Sequence, residues 1–333
     1  MPWVVPCRRC LTHRRRFITW AALVTSLVTV VSIFRTETLL GIRPRLLETS
    51  VTDDEVHQIP VVSKVTTFRG RLVNSSNELM ADSFRCVNAT TGGMTFPICV
   101  YGATKDEWVS KSFIDGKYFE RRFVERFIRL LRRYPEVEFI DLGANIGTFT
   151  LPAAHVTHVV AVEPYFQSID RLFKSIQLGG VEKNVSLVFN AISNERSTSR
   201  LVFLPRNVGG TYLKSAATPD CSDGSCTQTI VLDDLLPLMR HRRAVMKVDV
   251  EGHQPRVFTN STAAKFFEHI DVPLILMEWN LCPEQTISTE VRDLLHFFAT
   301  RQYHVFSENN RPLETNCRHW PSNVVFTKQS LDF

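Results

Sequence analysis

From residue 137 onward the chain alternates short apolar runs with segments of helical period, and this alternation leaves few architectures open. Residues 137–142, 158–162, 185–190, 244–250 and 274–278 read as buried strands. Residues 148–154, 166–178, 255–269 and 289–300 read as the helices between and after them. Residues 303–306 and 324–327 close the sheet as a hairpin-like pair. This order predicts an α/β fold with a doubly wound, mostly parallel seven-stranded sheet. Upstream, residues 118–133 predict an amphipathic helix. Phe119, Phe123, Phe127, Leu130 and Leu131 share one face, and Arg121, Arg122, Arg129 and Arg132 the other. That basic face could take an anion, although a solvated face is its ordinary role. A 44% hydrophobic and 22% charged composition supplies a sizeable core and excludes a disordered, collagen-like or coiled-coil chain.

In such sheets ligands bind beyond the carboxyl ends of the strands, and three runs end there in charge. The first ends in Asp141 and turns through Gly143, Asn145 and Gly147 into a helix. The turn is G-x-N-x-G, neither a dinucleotide fingerprint nor a phosphate loop, and alone it also fits a tight turn without ligand. The second run ends in Glu163, placed to hold the hydroxyls of a ribose, or simply to start a helix. The third is Met246-Lys247-Val248-Asp249-Val250-Glu251-Gly252-His253. Lys247 and Asp249 share a strand face by the period of two. Buried unpaired, each would be costly, so they either neutralise one another or mark a site.

These blocks in this order resemble the FkbM-type S-adenosylmethionine-dependent methyltransferases, within the class I Rossmann-like methyltransferases. The resemblance is carried by FIDLGANIGTFTLPAA at 139–154, VVAVEP at 159–164, NAIS at 190–193, NVGGTY at 207–212, VLDDLL at 231–236, MKVDVEGH at 246–253 and LMEWN at 276–280. It covers roughly residues 98–330, and Asp106, Ser110, Gly116 and Glu120 resemble an upstream segment of animal members. It implies S-adenosyl-L-methionine as cofactor. Asp141, Gly143, Asn145 and Gly147 would line its methionine end, Glu163 would bind the ribose, and Asn190 and Ala191 would flank the adenine. Lys247, Asp249, Glu251 and Gly252 would lie beside the methyl group. Where the family often carries Glu two residues after that glycine, this chain has Gln254. His253 is the expected catalytic base, since its ordinary pKa suits proton removal from a hydroxyl; Asp249 or Glu251 is the alternative, and His253 could equally cap the next helix. No metal-ligating cluster is visible, so none is expected.

The amino terminus sets the expected compartment. Residues 17–34 carry no charge, and at ~1.5 Å per residue they span roughly the apolar thickness of a thin bilayer. Arg8, Arg9, Arg14, Arg15 and Arg16 precede them. The expectation is a cytoplasmic basic tail (1–16), an uncleaved transmembrane signal anchor (17–34), a lumenal stem (35–80) and a methyltransferase domain (81–333). That makes a single-pass type II protein of the Golgi or endoplasmic reticulum membrane. Of 39 Lys and Arg, those five sit in the tail, leaving 34 against 34 Asp and Glu, so the body is neutral and no nucleic-acid partner is expected.

Cys7 and Cys10 precede the anchor, and the six later cysteines fit an oxidising lumen. Proximity suggests Cys86–Cys99 and Cys221–Cys226, leaving Cys282–Cys317. Zinc is the rival reading, without a C-x-x-C among these six. Sequons stand at Asn74, Asn88, Asn184 and Asn260. Compartment and resemblance together point to O-methylation of a glycan hydroxyl, with residues 207–211 as an acceptor loop. A lumenal glycosyltransferase or an inactive binding protein on the same fold are the alternatives.

Overall fold

The structure, a computed structural model, describes residues 65–68, 85–214, 219–282, 287–314 and 316–328. The basic tail, the 17–34 run, Cys7, Cys10 and Asn74 lie outside the described residues. Among the described residues no helix is long and apolar enough to cross a membrane.

The chain opens with the hairpin β1 (Arg85–Thr91) and β2 (Met94–Val100), then α1 (Val109–Ile114) and α2 (Arg121–Arg133). There follow β3 (Glu138–Leu142), α3 (Thr150–Ala154), β4 (Val159–Val162), α4 (Phe166–Gly179) and β5 (Val185–Val188). A smaller group comes next: β6 (Ala191–Ile192), β7 (Thr198–Leu204), β8 (Asn207–Lys214) and β9 (Cys226–Ile230). The chain then runs through β10 (Arg243–Val248), α5 (Gln254–Val257), α6 (Ala264–His269) and β11 (Asp271–Glu278). It ends with α7 (Thr289–Ala299), β12 (His304–Ser307) and β13 (Asn323–Thr327).

Seven strands form one sheet in the order β12-β13-β11-β10-β3-β4-β5. All neighbours are parallel except β13, which is antiparallel to both β11 and β12. The strand order reverses between β3 and β10, where the crevice of a doubly wound sheet opens. Alternating residues feed two apolar layers. Phe139, Val159 and Val245 face the α2–α4 side, and Ile140, Val160 and Met246 face the α6–α7 side. Asp141 and Lys247 share the first face and stand directly opposite one another in register. β6–β9 form a separate four-stranded sheet, order β6-β9-β7-β8.

Three expectations are corrected. The 118–133 helix begins only at Arg121, because Glu120 has a left-handed φ of 51°. The single helix at 255–269 is two, α5 and α6, separated by a turn in which the Thr259 hydroxyl meets that of Thr262 at 2.6 Å. The 35–80 stem includes a stretch that joins the body. Phe68 N–H donates to the Leu187 carbonyl and Phe189 N–H to the Thr66 carbonyl, both at 2.8 Å, beside an antiparallel bridge from Thr67 to Val188. This covers the β5 edge, which would otherwise present unpaired backbone groups. All three expected disulfides form, and Cys86 and Cys99 stand opposite one another in the β1–β2 register.

At the amino ends of the parallel strands, the buried Glu138 holds His158 Nδ1 at 2.8 Å, and His158 Nε2 meets the Ser186 hydroxyl at 3.0 Å. This cross-link spans β3 to β5, and the remaining Glu138 oxygen accepts the Arg240 N–H at 2.6 Å. At the opposite ends lies the site. Leu131 of α2 is completely buried in the layer above β3. Leu131→Ala should cost ~2–5 kcal/mol of unfolding free energy, read from the shift of the urea denaturation midpoint.

Candidate active site

The carboxyl ends of β3, β4, β10 and β11 converge on a cavity of about 260 Å³. Gly143, Asn145, Glu163, Asn190, Ala191, Lys247, Asp249 and Glu251, all expected site residues, line it. Asp141 and Gly147 do not. Asp141 is buried behind the floor, where Thr150 Oγ1 donates to one oxygen at 2.6 Å and Lys247 Nζ lies 4.0 Å from the other. A Cβ at Gly147 would meet Leu172 at 2.5 Å, so that glycine serves close packing of the turn on α4. Both residues position the lining from behind.

Gly143 has the stricter requirement. Its φ is +84°, and an added Cβ would sit 1.8 Å from the Asp249 carbonyl oxygen. The β3 turn is therefore pressed against the end of β10, and Asp249 N–H donates to the Leu142 carbonyl at 2.9 Å. Glu163 is held by two backbone donors, Asn145 N–H and Tyr165 N–H, each at 2.8 Å. Asn190 is fully buried; its side-chain oxygen accepts Thr66 N–H at 2.8 Å and its amide donates to the Gln228 carbonyl at 3.2 Å.

Lys247 is the only cation among the described lining residues. Its ammonium donates to Asp249 at 3.0 Å and to the Gly143 carbonyl at 3.2 Å. Burial alone would lower its pKa, but Asp249, Asp141 and Glu120 more than offset that and raise it. The carboxylates outnumber it. Burial pushes Glu120 and Glu163 up to about 7. Glu251 is raised to about 7 by burial and then by Asp249. Glu278 is pushed up to about 9 by burial, then by Asp249 and Glu251.

Asp249, Glu251 and Glu278 carry oxygens that all lie within 4.8 Å of one another, a spacing that a divalent cation could bridge. No metal cluster was expected, because Glu278 arrives from a strand 27 residues further along the chain. Glu278 and Glu120 were not among the expected site residues, although each fell within a segment of the resemblance. Glu120, Asn145 and Glu251, with φ of 51°, 48° and 50°, are three of the six non-glycine residues with left-handed backbone among the described residues. All three line this cavity. Such backbone costs ~1–3 kcal/mol each and persists where the surroundings fix it.

His253, the expected base, is not on the cavity wall. It is buried, and its Nε2 lies 2.8 Å from the Ser193 hydroxyl. Burial, and then Arg256, pushes it down to about 4, so at neutral pH it is an uncharged structural imidazole. Nor does it cap α5 with its side chain. Gln254 is fully buried and donates to the Glu278 main-chain carbonyl at 3.1 Å, holding the end of β11 in place. The expected acceptor loop at 207–211 does reach the cavity: Asn207, Val208, Gly209, Gly210 and Thr211 all line it.

Gly143→Ala should both unfold at lower temperature and lose ligand binding in the cavity, whereas Gly93→Ala, with nothing within 4 Å of the new Cβ, should cost only ~1 kcal/mol. For Glu278 the sign follows from its raised pKa. Folding takes up a proton between the ordinary carboxylate value and about 9, so its contribution to stability declines as pH rises through that window. Glu278→Gln should therefore raise the Tm of the ligand-free protein at pH 8, on the order of 2–4 °C, and raise it less at pH 5.

Residues 141–305 match the family described as Methyltransferase FkbM domain. None of the curated proteins matches the chain. Among solved structures, a putative SAM-dependent methyltransferase from Streptococcus mutans is 9% identical, with a TM-score of 0.39, covering 73% of this chain and 55% of that one. TYW2 from M. jannaschii, in complex with AdoMet, is 14% identical at a TM-score of 0.34, covering 73% and 84%. A SAM-dependent O-methyltransferase from Thermotoga maritima is 11% identical at 0.33, covering 72% and 77%. Values this low leave the architecture resting on the strand order itself. Residues 141–305 are thus similar to the Methyltransferase FkbM domain, and the main sheet that they largely build has the strand order given above, with β13 antiparallel.

Proposed function

We propose that the chain is an S-adenosylmethionine-dependent O-methyltransferase acting on a glycan hydroxyl in the secretory lumen. S-adenosylmethionine, when bound, supplies an electrophilic methyl group on a sulfonium. The lining fits such a cation-bearing cofactor. Glu163 offers its remaining acceptor capacity to ribose hydroxyls, Asn190 and Ala191 flank the β5 end, and the acidic wall favours positive charge. Asp141 reaches the site only through Lys247 and Thr150, which makes it a positioning residue.

The observation that carries the hydroxyl reading is the convergence of Asp249, Glu251 and Glu278. Removing a proton from an acceptor hydroxyl needs a base that is ionised near neutral pH yet still willing to take a proton. Glu251, at about 7, meets that condition. Glu278, pushed up to about 9, keeps its own proton at neutral pH. The glycan and the lumen are supported by the 17–34 run, by the three disulfides and by exposed sequon positions at Asn88 and Asn260. The amide of Asn184 is already engaged, donating to the Ala154 carbonyl at 2.9 Å.

The test is transfer of labelled methyl from S-adenosylmethionine to neutral oligosaccharides by the full-length protein. The rate should rise with pH through about 7, because Glu251 must lose its proton to act. Glu251→Gln should lower kcat by roughly 10²–10⁴-fold with KM little changed, and His253→Gln should leave kcat within about tenfold. Retained activity in a chelator supports a proton-accepting acid group; loss restored by magnesium would transfer that group to a cation. An unaffected Glu251→Gln enzyme would overturn the assignment.

A further inference from the structure

The Arg-bearing face of α2 takes no part in the cavity, yet it is the most concentrated charge in the body. Its thirteen residues carry six Arg and one Glu, in a chain whose remainder beyond the amino-terminal tail is balanced or acidic. The first half of that face is neutralised locally. Arg121 lies 3.5 Å from Glu125, Arg122 lies 3.7 Å from Glu308, and Arg126 donates to the Glu308 main-chain carbonyl. The second half is not. Arg129 and Arg132 are exposed, three positions apart and therefore adjacent on the helix, and neither forms an ion pair among the described residues.

These two guanidiniums border an open recess of about 290 Å³. Its far wall is the turn between β1 and β2, with Thr90, Gly92 and Gly93. Both glycines have positive φ, 55° and 75°, as a two-residue hairpin turn requires. A Cβ at Gly93 would meet nothing within 4 Å, so the approach from that side is open. Glu125 also lines the recess, but it is engaged by Arg121 and by the Thr91 hydroxyl at 3.4 Å.

We propose that this recess binds a sulfate group of a sulfated oligosaccharide, held by Arg129 and Arg132. Forked guanidiniums pair with tetrahedral oxyanions through two parallel donors. A lipid surface fits less well. The apolar face of α2 is buried, and the exposed large apolar side chains (Trp108, Leu178, Phe203, Leu204 and Tyr212) belong to other elements, so nothing here would enter the hydrocarbon. A single-stranded nucleic acid fits less well too, since the described residues lining the recess include no aromatic ring for a base to stack on.

The experiment is calorimetric titration of the full-length protein with a heparin-derived hexasaccharide. Its desulfated counterpart, phosphatidylserine vesicles and an oligothymidylate are the other arms. The sulfated hexasaccharide should bind, weakening as salt rises. The desulfated one, and the sulfated one on an Arg129→Glu/Arg132→Glu variant, should bind roughly 10–100-fold more weakly. Lys265→Glu, an exposed reversal on α6, should bind as the unaltered protein does. An unchanged Tm in the double variant separates lost binding from lost folding. Equal binding of the desulfated sugar, insensitivity to the double reversal, absence of binding by the folded protein, or preferential binding of vesicles or oligothymidylate that the double reversal abolishes would each overturn the proposal. None of these readouts involves methyl transfer, so the two readings fail separately.

Discussion

The ammonium of Lys247 organises the catalytic end of this molecule. It is buried on the central strand of the sheet, directly across from Asp141 and two residues before Asp249. Its bonds to Asp249 and to the Gly143 carbonyl tie β10 to the turn after β3, the two elements between which the strand order reverses. A buried ion pair is not of itself a large source of stability, because desolvation takes back much of the attraction. Its effect here is geometric. With Lys247 removed, Asp141 and Asp249 would face one another across the strand pair without a counter-charge, and the turn carrying Gly143 and Asn145 would lose the anchor that holds it over β10.

The same crossing explains why backbone strain gathers where it does. The β3 turn packs on the Asp249 carbonyl so closely that only glycine fits at 143. The chain leaves that contact through a left-handed Asn145 on one side and a left-handed Glu251 on the other. Asn145 N–H then reaches Glu163, so the second strand end is fixed by the first. Gln254 holds the β11 end from beneath through the Glu278 carbonyl. Four strand ends are thus tied to one another by close backbone packing and by hydrogen bonds between side chains and backbone, the preorganisation that positioning of a reacting group demands.

Much of this was legible in the sequence for a physical reason: strands and their terminal acids are local features. Asp141, Glu163 and the shared face of Lys247 and Asp249 follow from apolar runs and a period of two. What a single strand end cannot reveal is distance across the sheet. Glu278 closes an apolar strand much as Glu163 does, and its approach to Asp249 and Glu251 depends on the β10–β11 register. Glu120 looked like a residue of the amphipathic helix, and only its left-handed backbone turns it into the cavity. His253 followed the strand-end pattern faithfully, yet the tight turn at Gly252 carries it behind the wall to Ser193. The resemblance implies that Asp141 and Gly147 line the methionine end, but Asp141 lies behind the cavity floor and Gly147 packs on Leu172. The β6–β9 group went unread because its strands are half-exposed and mixed in composition, without the apolar runs that announce the central sheet.

The charge balance of the cavity has a consequence of its own. Glu120, Glu163, Asp249, Glu251 and Glu278 line it, Asp141 lies beneath, and Lys247 is the single counter-ion among the described lining residues. Burial, and then repulsion from neighbouring carboxylates, drives Glu120, Asp141, Glu163, Glu251 and Glu278 upward. Glu120, Glu163, Glu251 and Glu278 therefore keep protons at pH values where an ordinary surface carboxylate has lost its own. Any positively charged occupant lowers those pKa values and displaces protons, so occupancy and protonation are thermodynamically linked. A neutral or anionic occupant of the same shape gains nothing from that exchange. The preference for a cation thus resides in the excess of acids over Lys247, and it would survive changes to any single lining carboxylate, whereas removal of one proton at one defined oxygen would not.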